Sequence, residues 1–375
     1  MHYFEYPSVD ATIYQASQSM NTGLDPILEV RKDVSSTGGA VNVSRALVKF
    51  DLTYISSSVI SGLIPSTAKY YLNMYDANPE ELTTSDILYA HPVSQSWTGG
   101  TGEFDSNPQI TNGVSWQYSQ GKSSSQNWMS GSLSGSGATW YSGSDTPLKL
   151  DASQSYDHST TDMRMNVTDI MNAWIYSGST YPNEGFLVKR SGSMKNADTS
   201  QAEGSTTHLG NFSFFSRDTN TIYSPKLEVE WDDSSWSTGS LQPITGSDYD
   251  DMAFYVKGLR SEYKQDSKTK IRVIGRAKYP EKTYATTPTQ LGVKYLPSGS
   301  TYYSIKDAQT EEVIVPFGSG SIVSCDTTGN YFNLWLNGLQ PERIYNVQFK
   351  ATVSQSTSDE QDVISLQDHT FKVSR

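Results

Sequence analysis

Four aromatic side chains, Trp116, Trp128, Trp140 and Tyr141, stand in a stretch otherwise dominated by Gly, Ser, Asn and Gln. Flat rings of this kind can lie against pyranose sugars, with amide and carboxylate groups bonding the hydroxyls. These four are the candidate glycan or assembly contacts of the chain. The competing expectation is that they anchor an apolar-poor loop to the protein body, or dock it on a neighbouring subunit.

Other chemistry is sparse in the sequence. A nucleophilic hydrolase needs Ser or Cys beside a His that an acid orients. The five histidines are His2, His91, His158, His208 and His369, and none lies in a Gly-x-Ser-x-Gly elbow. There is no His-Glu-x-x-His, no phosphate-binding Walker loop and no dinucleotide fingerprint. A glycosidase would need two carboxylates flanking a sugar, a pairing that sequence does not disclose. No catalytic, cofactor or metal residue is therefore assigned, and no enzymatic activity is expected. The run Asp248, Asp250, Asp251 lacks the ligand spacing and terminal Glu of an EF-hand and reads as a solvated linker. The single cysteine, Cys325, excludes an intrachain disulfide and any multi-Cys metal site. It reads as a small buried apolar residue.

The elements that must position these side chains are strands. The chain has 375 residues, enough for two domains, with 35% hydrophobic, 18% charged and 12% aromatic residues, including 24 Tyr. Ala46, Val48, Phe50 and Leu52 alternate with Arg45, Lys49 and Asp51, the period of a half-buried antiparallel strand. Further strands are expected at 10–14, 27–31, 68–75, 87–93, 148–151, 185–190, 212–216 and 226–231. The stretch 55–64 reads as a connection with small turns. From Thr98 to Asp145 runs a loop long enough to be functional or poorly ordered. The one convincing helix is 166–175. Val167, Ile170, Met171, Trp174 and Ile175 share one face, Asn166 or Thr168 can cap it, and Gly178 stops it. So short a helix must lay its apolar stripe on the strands around it. Many short strands with one helix imply a jelly-roll-type β-sandwich over residues 1–232.

The order of motifs here resembles the DNRLRE-type domain, a β-sandwich similar to a carbohydrate-binding family found on microbial surface proteins and in phage particles. The matching pieces are Asp10-Ala11-Thr12-Ile13, Arg45 to Leu52 and Ser96-Trp97-Thr98. They continue with Val167 to Ile170 followed by Ala173-Trp174-Ile175, and with Gly185 to Lys189. Phe215-Ser216-Arg217 with Pro225 to Val229 completes the series. The six cover about residues 8 to 232, without the family's name-giving motif. The resemblance implies a sandwich used for binding or as plain architecture, with Trp97 in its core.

Residues 233–251, rich in Ser, Gly, Asp and Pro, read as a linker. From 252 to 375 the chain is β again, with strands at 270–276, 313–315, 331–336 and 370–373. Lys270 to Arg276 alternates basic residues with Ile271, Val273 and Gly275. Leu339, Pro341 and Tyr345 open an alternating strand, the pattern of a tyrosine corner in Greek-key sandwiches, with Tyr345, Val347 and Phe349 pointing inward. The expected fold class is thus all-β: the jelly-roll sandwich with one short amphipathic helix, then an immunoglobulin/fibronectin-like sandwich. The wording of Lys278 to Thr283, Lys294 to Ser300, Tyr302 to Ala308 and Asn330 to Trp335, with Gln340 to Arg343, resembles C-terminal modules of tailed-phage virion proteins.

Together the resemblances imply a virion structural protein, on the neck, tail, fibre attachment or capsid surface. Its partners would be other virion proteins and itself, as a homo-oligomer, with a host surface glycan as the alternative ligand. The formal net charge of -12 argues against nucleic acid, and no Lys/Arg cluster is expected. No apolar run approaches the roughly 20 residues of a membrane span. The first residues lack the basic-then-apolar pattern of a secretory signal, so the expected location is the virion.

Overall fold

The structure, a computed structural model, describes residues 1–35, 39, 41–130, 133–141, 150–157, 161–190, 203, 205–244, 252–280, 284, 292–354 and 361–375, with side chains at 130, 133–135, 353–354 and 361–368 outside the description. It is all-β. The chain divides into two compact units, Glu5–Val229 and a second made of Met1–Phe4 with Glu230–Arg375.

The larger unit is built on the strand Val41–Phe50. Its first residues pair with Ile27–Val34, and Ser44 to Phe50 pair with Pro7–Tyr14. On the opposite edge Ala46 to Val48 pair with Phe186–Lys189, all antiparallel. The sheet extends through Ser85–Pro92 to Ala152–Asp157 and, at its other end, to Gly210–Phe215. Both faces of the central strand are covered. On one, Val43 and Leu47 join a cluster with Trp97, Trp116 and Trp128. On the other, the Phe50 ring lies 6.2 Å from Phe186. The strand is therefore not half-buried as its alternation implies. Arg45 is buried, because a long loop folds over what would have been its solvent face.

A smaller sheet runs Lys226–Glu230, Lys69–Met74, Met163–Asn166. The expected helix, α2, is Thr168–Tyr176. Its buried residues are Ile170, Met171, Ala173 and Trp174, with Val167 buried just before it. Asn166 Oδ1 accepts the Thr168 N–H at 3.0 Å, so the cap works from one residue further out than the usual position. Thr168 Oγ1 accepts the Tyr70 N–H at 3.0 Å, tying the helix to the small sheet. Its Trp174 ring sits 4.7 Å from Phe186 of the large sheet. The helix thereby links the two sheets. A second helix, α1, Thr53–Ile60, replaces the expected turns there. Asp51 starts it by accepting from Thr53 N–H at 2.9 Å and Thr53 Oγ1 at 2.6 Å. The strand expected at 148–151 lies partly outside the described residues, and a strand follows at Ala152–Asp157.

In the smaller unit one sheet contains Met252–Lys257, Lys268–Ala277, Gly329–Trp335 and Ser324–Asp326, and the other Thr301–Asp307, Arg343–Ser354 and Gln361–Ser374. Tyr303 stacks on Phe332 with centroids 4.1 Å apart, one ring from each sheet, so the two sheets face each other. Tyr345, Val347 and Phe349 are buried, and Tyr345 Oη donates to Gln340 O at 3.0 Å. That bond is the tyrosine-corner geometry expected from the spacing. Residues 233–244, expected as linker, are built into this unit. Trp236 bridges Cys325, Gln242–Pro243 pairs with Val293–Tyr295, and Ile244 is buried in the core. The acidic run Asp248, Asp250, Asp251 lies outside the described residues. Asp307 is buried, where desolvation opposes its charge. Arg343 Nε at 2.6 Å and the N–H groups of Gln309 and Thr310 overcome that and hold it at about 2.

Two outcomes follow from these contacts. Trp174→Ala removes a large buried ring and is expected to cost roughly 3–5 kcal/mol in chemical denaturation. Its Nε1 has no acceptor among the described residues, so Trp174→Phe is expected to keep most of the stability. An unchanged melting curve for the Ala variant would sink the placing of the helix. Asp307 ionises more readily folded than unfolded, so its contribution is present above the ordinary value of 3.8 and lost as pH falls from there towards about 2. Acid titration of Asp307→Asn should show a shallower loss over that window.

Candidate functional site

The loop that carries the four aromatics is a packed cover over the Val41–Phe50 strand. Val93, Trp97, Val114, Trp116, Trp128 and Ala138 form one cluster with Ala11, Ile13, Val43, Leu47 and Leu187. Its backbone is held by a buried amide. Asn21 Nδ2 donates to Gly99 O at 2.5 Å and Val114 O at 2.9 Å, and Asn21 Oδ1 accepts from Gly102 N–H at 2.8 Å. The glycines belong to this contact. A Cβ on Gly100, whose φ is +83°, would meet Asn21 Oδ1 at 2.3 Å, and one on Gly113 would meet Gly99 O at 2.4 Å. Gln95 adds a second tie, donating to Asn127 O at 3.1 Å and accepting from Met129 N–H at 2.9 Å.

Trp116 and Trp128 are consequently buried, Trp128 completely. Trp128 Nε1 donates to Ser115 O at 2.9 Å. Both rings are packed inside the protein, as the expectation of aromatics that anchor the loop to the protein body describes. The reason is the scarcity of aliphatic residues in the loop, which leaves tryptophan to bury it. Trp140 is half-buried, and its face is taken by Lys189 Nζ at 4.3 Å and Arg45 at 5.3 Å. Tyr141 is half-buried against the edge of Tyr181, with centroids 5.0 Å apart. Trp97 is core, its Nε1 donating to Glu184 O at 2.7 Å.

Beneath the cover lies a buried charge cluster that sequence reading missed. Arg45 meets Glu203 through Nη2–Oε2 at 2.5 Å and Nε–Oε1 at 3.3 Å, and Arg45 Nη1 donates to Gly137 O. Its guanidinium lies 4.8 Å from the Trp116 ring. Lys189 Nζ is 3.8 Å from the same carboxylate. Burial works against the Glu203 charge, but the two cations prevail and hold its pKa below the ordinary value. Burial pushes the Lys189 ammonium down to about 8, with Glu203 opposing and Arg45 assisting. Arg45 and Lys189 come from adjacent strands, and register gives that pairing only once the strands are aligned. Glu203 stands in a polar stretch with no periodic signal.

The remaining reactive groups are elsewhere. His208 is half-exposed, with Nε2 2.8 Å from Glu81 and Nδ1 3.8 Å from Asp33. His158 lies outside the described residues. Cys325 is buried, and burial followed by the Asp326 charge pushes its thiol up to about 11, so it is protonated at neutral pH. Asp10 is buried too, and desolvation raises it to about 7 although the Arg217 N–H donates to it at 2.7 Å. No described contact places either beside a partner for proton transfer. The arrangement binds the cover to the sheet.

Glu203→Gln would leave two cations buried without their counter-charge, at an expected cost of roughly 3–5 kcal/mol. Below about pH 8 the Lys189 ammonium is charged folded and unfolded, and its burial cost is fully present. Between about 8 and the ordinary 10.5 the folded protein sheds that proton first, so this group makes stability rise with pH. Denaturation of the wild type and Lys189→Met between pH 7 and 10 checks the sign. The rise should vanish in the variant.

No protein-family model matches the chain, no curated protein matches it, and no solved structure matches its fold.

Proposed function

We propose that this chain is a non-enzymatic structural protein of a tailed-phage virion, acting through protein–protein contacts with other virion proteins and with itself. The observation that carries the reading is the packed cover. The side chains best suited to chemistry, Arg45, Lys189, Glu203 and the tryptophans, are spent on holding a loop to a sheet. A protein built this way offers rigid surfaces, and assembly is what rigid surfaces serve. The order of motifs in residues 8 to 232, and the wording of 252–375, supply the virion context. Fold alone would not. The alternative is a glycan-binding adhesin module that attaches a particle to a host surface through the loop aromatics. It loses Trp116 and Trp128 to the core, and the Trp140 face to Lys189.

Sedimentation of the purified full chain, alone and with disrupted particles, tests the proposal. Self-association into a closed oligomer, or incorporation into particles seen by electron cryo-microscopy, is expected. A chain that stays a folded monomer at every concentration and is missing from particles overturns it.

A further inference from the structure

The chain is acidic as a whole, but residues 257–278 hold eight Lys or Arg against two acids, Glu262 and Asp266. This corrects the expectation that no basic cluster exists. The structure gathers much of that charge at one place in the smaller unit. Lys268, Lys270 and Arg272 alternate along one strand, so they share its outer face, successive Cα atoms roughly 6.5–7 Å apart. Lys257 lies opposite Arg272 on the neighbouring strand and adds to the same face. Beside this row opens a groove of about 860 Å³, lined by Arg260, Lys264, Lys268 and Lys270 together with Glu262 and the hydroxyl-bearing Ser267, Thr269 and Ser374.

Asp326 takes up only part of this charge. It pairs with Lys270 at 2.9 Å and with both terminal nitrogens of Arg272 at 2.7 and 2.8 Å. Lys257, Arg260, Lys264 and Lys268 are exposed, and none of them makes an ion pair among the described residues. Four neighbouring cations repel one another, an arrangement that favours a bound anion.

We propose that this groove binds a linear anionic glycan, a polysaccharide carrying phosphodiester or carboxylate groups along its chain. The spaced cations meet the repeating charge. The hydroxyls and Glu262 supply hydrogen-bond partners for sugar hydroxyls. The aromatic rings on the same face speak against single-stranded nucleic acid. Lys268 Nζ stands 4.8 Å from the Trp335 ring and Lys270 Nζ 3.5 Å from the Tyr331 ring, so these faces are occupied by ammonium groups and not bare for base stacking. The volume suits a few sugar units, within the usual range of ligand clefts. The inference stands apart from the assembly proposal, since it concerns other residues and a different partner.

The test is titration of the full chain with poly(glycerol phosphate), polygalacturonate, neutral dextran and oligo(dT), at about 50 and about 300 mM salt. Binding of one or both anionic glycans is expected, weakening with salt, and none of dextran. Which glycan binds distinguishes phosphate from carboxylate. Lys264→Glu with Lys268→Glu should weaken binding roughly tenfold or more and lower the salt slope by about two. Lys69→Glu with Lys122→Glu, exposed positions in the larger unit, makes the same change in net charge and should leave binding intact. Absence of glycan binding at low salt overturns the proposal, as does equal weakening by both double variants. Tighter binding of oligo(dT) than of either glycan overturns it in favour of nucleic acid.

Discussion

A guanidinium taken out of water needs a counter-charge and hydrogen-bond acceptors at once, and Arg45 obtains them from separate parts of the chain. The carboxylate comes from Glu203, the carbonyl from Gly137 and the ring face from Trp116. The cover over the sheet and the polar face of the sheet are therefore conditions for each other. Without the cover, Arg45 and Lys189 would be ordinary surface cations on a half-buried strand. Without them, the loop would lose the charges that hold Glu203 and the Trp140 face in place. A buried ion cluster of this kind adds little net stability over an apolar core of equal volume, because desolvation nearly cancels its attraction. Its effect is to fix one arrangement of cover on sheet.

The Asn21 amide does for the backbone of the cover what Glu203 does for its side chains. A loop with few aliphatic residues cannot hold its peptide groups by burial alone. It needs an acceptor and a donor at a fixed point, and the amide offers both. Glycine is what lets the backbone come close enough, as the would-be Cβ contacts at Gly100 and Gly113 show. The smaller unit solves its packing differently. Across its sheets Tyr303 stacks on Phe332 and Phe349 meets Phe332 edge to face, and the Tyr345 hydroxyl pins the turn before its strand.

What the sequence discloses is what repeats locally. The stripe of α2, the apolar run Val313–Val315 and the spacing from Leu339 to Tyr345 all act within about ten residues, and each appears in the structure. The helix α1 is not legible in this way. Its Ser56-Ser57-Ser58 core has weak helical preference and its Ile60 points to solvent, which leaves Ile55 and Val59 as the two apolar residues on its buried face, too few to mark a stripe. Only Asp51 two residues before Thr53 marks its start. The cover is illegible for another reason. Gly, Ser and Asn look the same in an open loop and in one packed on Asn21, and the difference is made by a residue 78 positions away from Gly99. Glu203 is 158 positions from Arg45, and nothing local signals that the two meet.

Net charge misleads in a related way, because a sum carries no location. Among its described residues the larger unit buries five cations, Lys32, Arg45, Lys189, Arg190 and Lys226. Several are matched inside, as Arg190 is by Asp86 at 2.5 Å. Those cations do not contribute to the field outside the protein as surface charges do, since a nearby opposite charge cancels them at short range. In the smaller unit no Lys or Arg is buried among the described residues. Lys257, Lys268, Lys270 and Arg272 stand on an outer strand face and Arg260 and Lys264 beside it around a groove, with one carboxylate, Asp326, shared between Lys270 and Arg272. A value of -12 for the whole chain thus coexists with a locally positive surface. An approaching ligand meets that local field within about one Debye length, roughly 8–10 Å, and beyond that distance the total charge is largely screened from it. Partner chemistry for an acidic chain of this kind follows from the surface distribution of charge, and the distribution becomes readable once the strands are placed side by side.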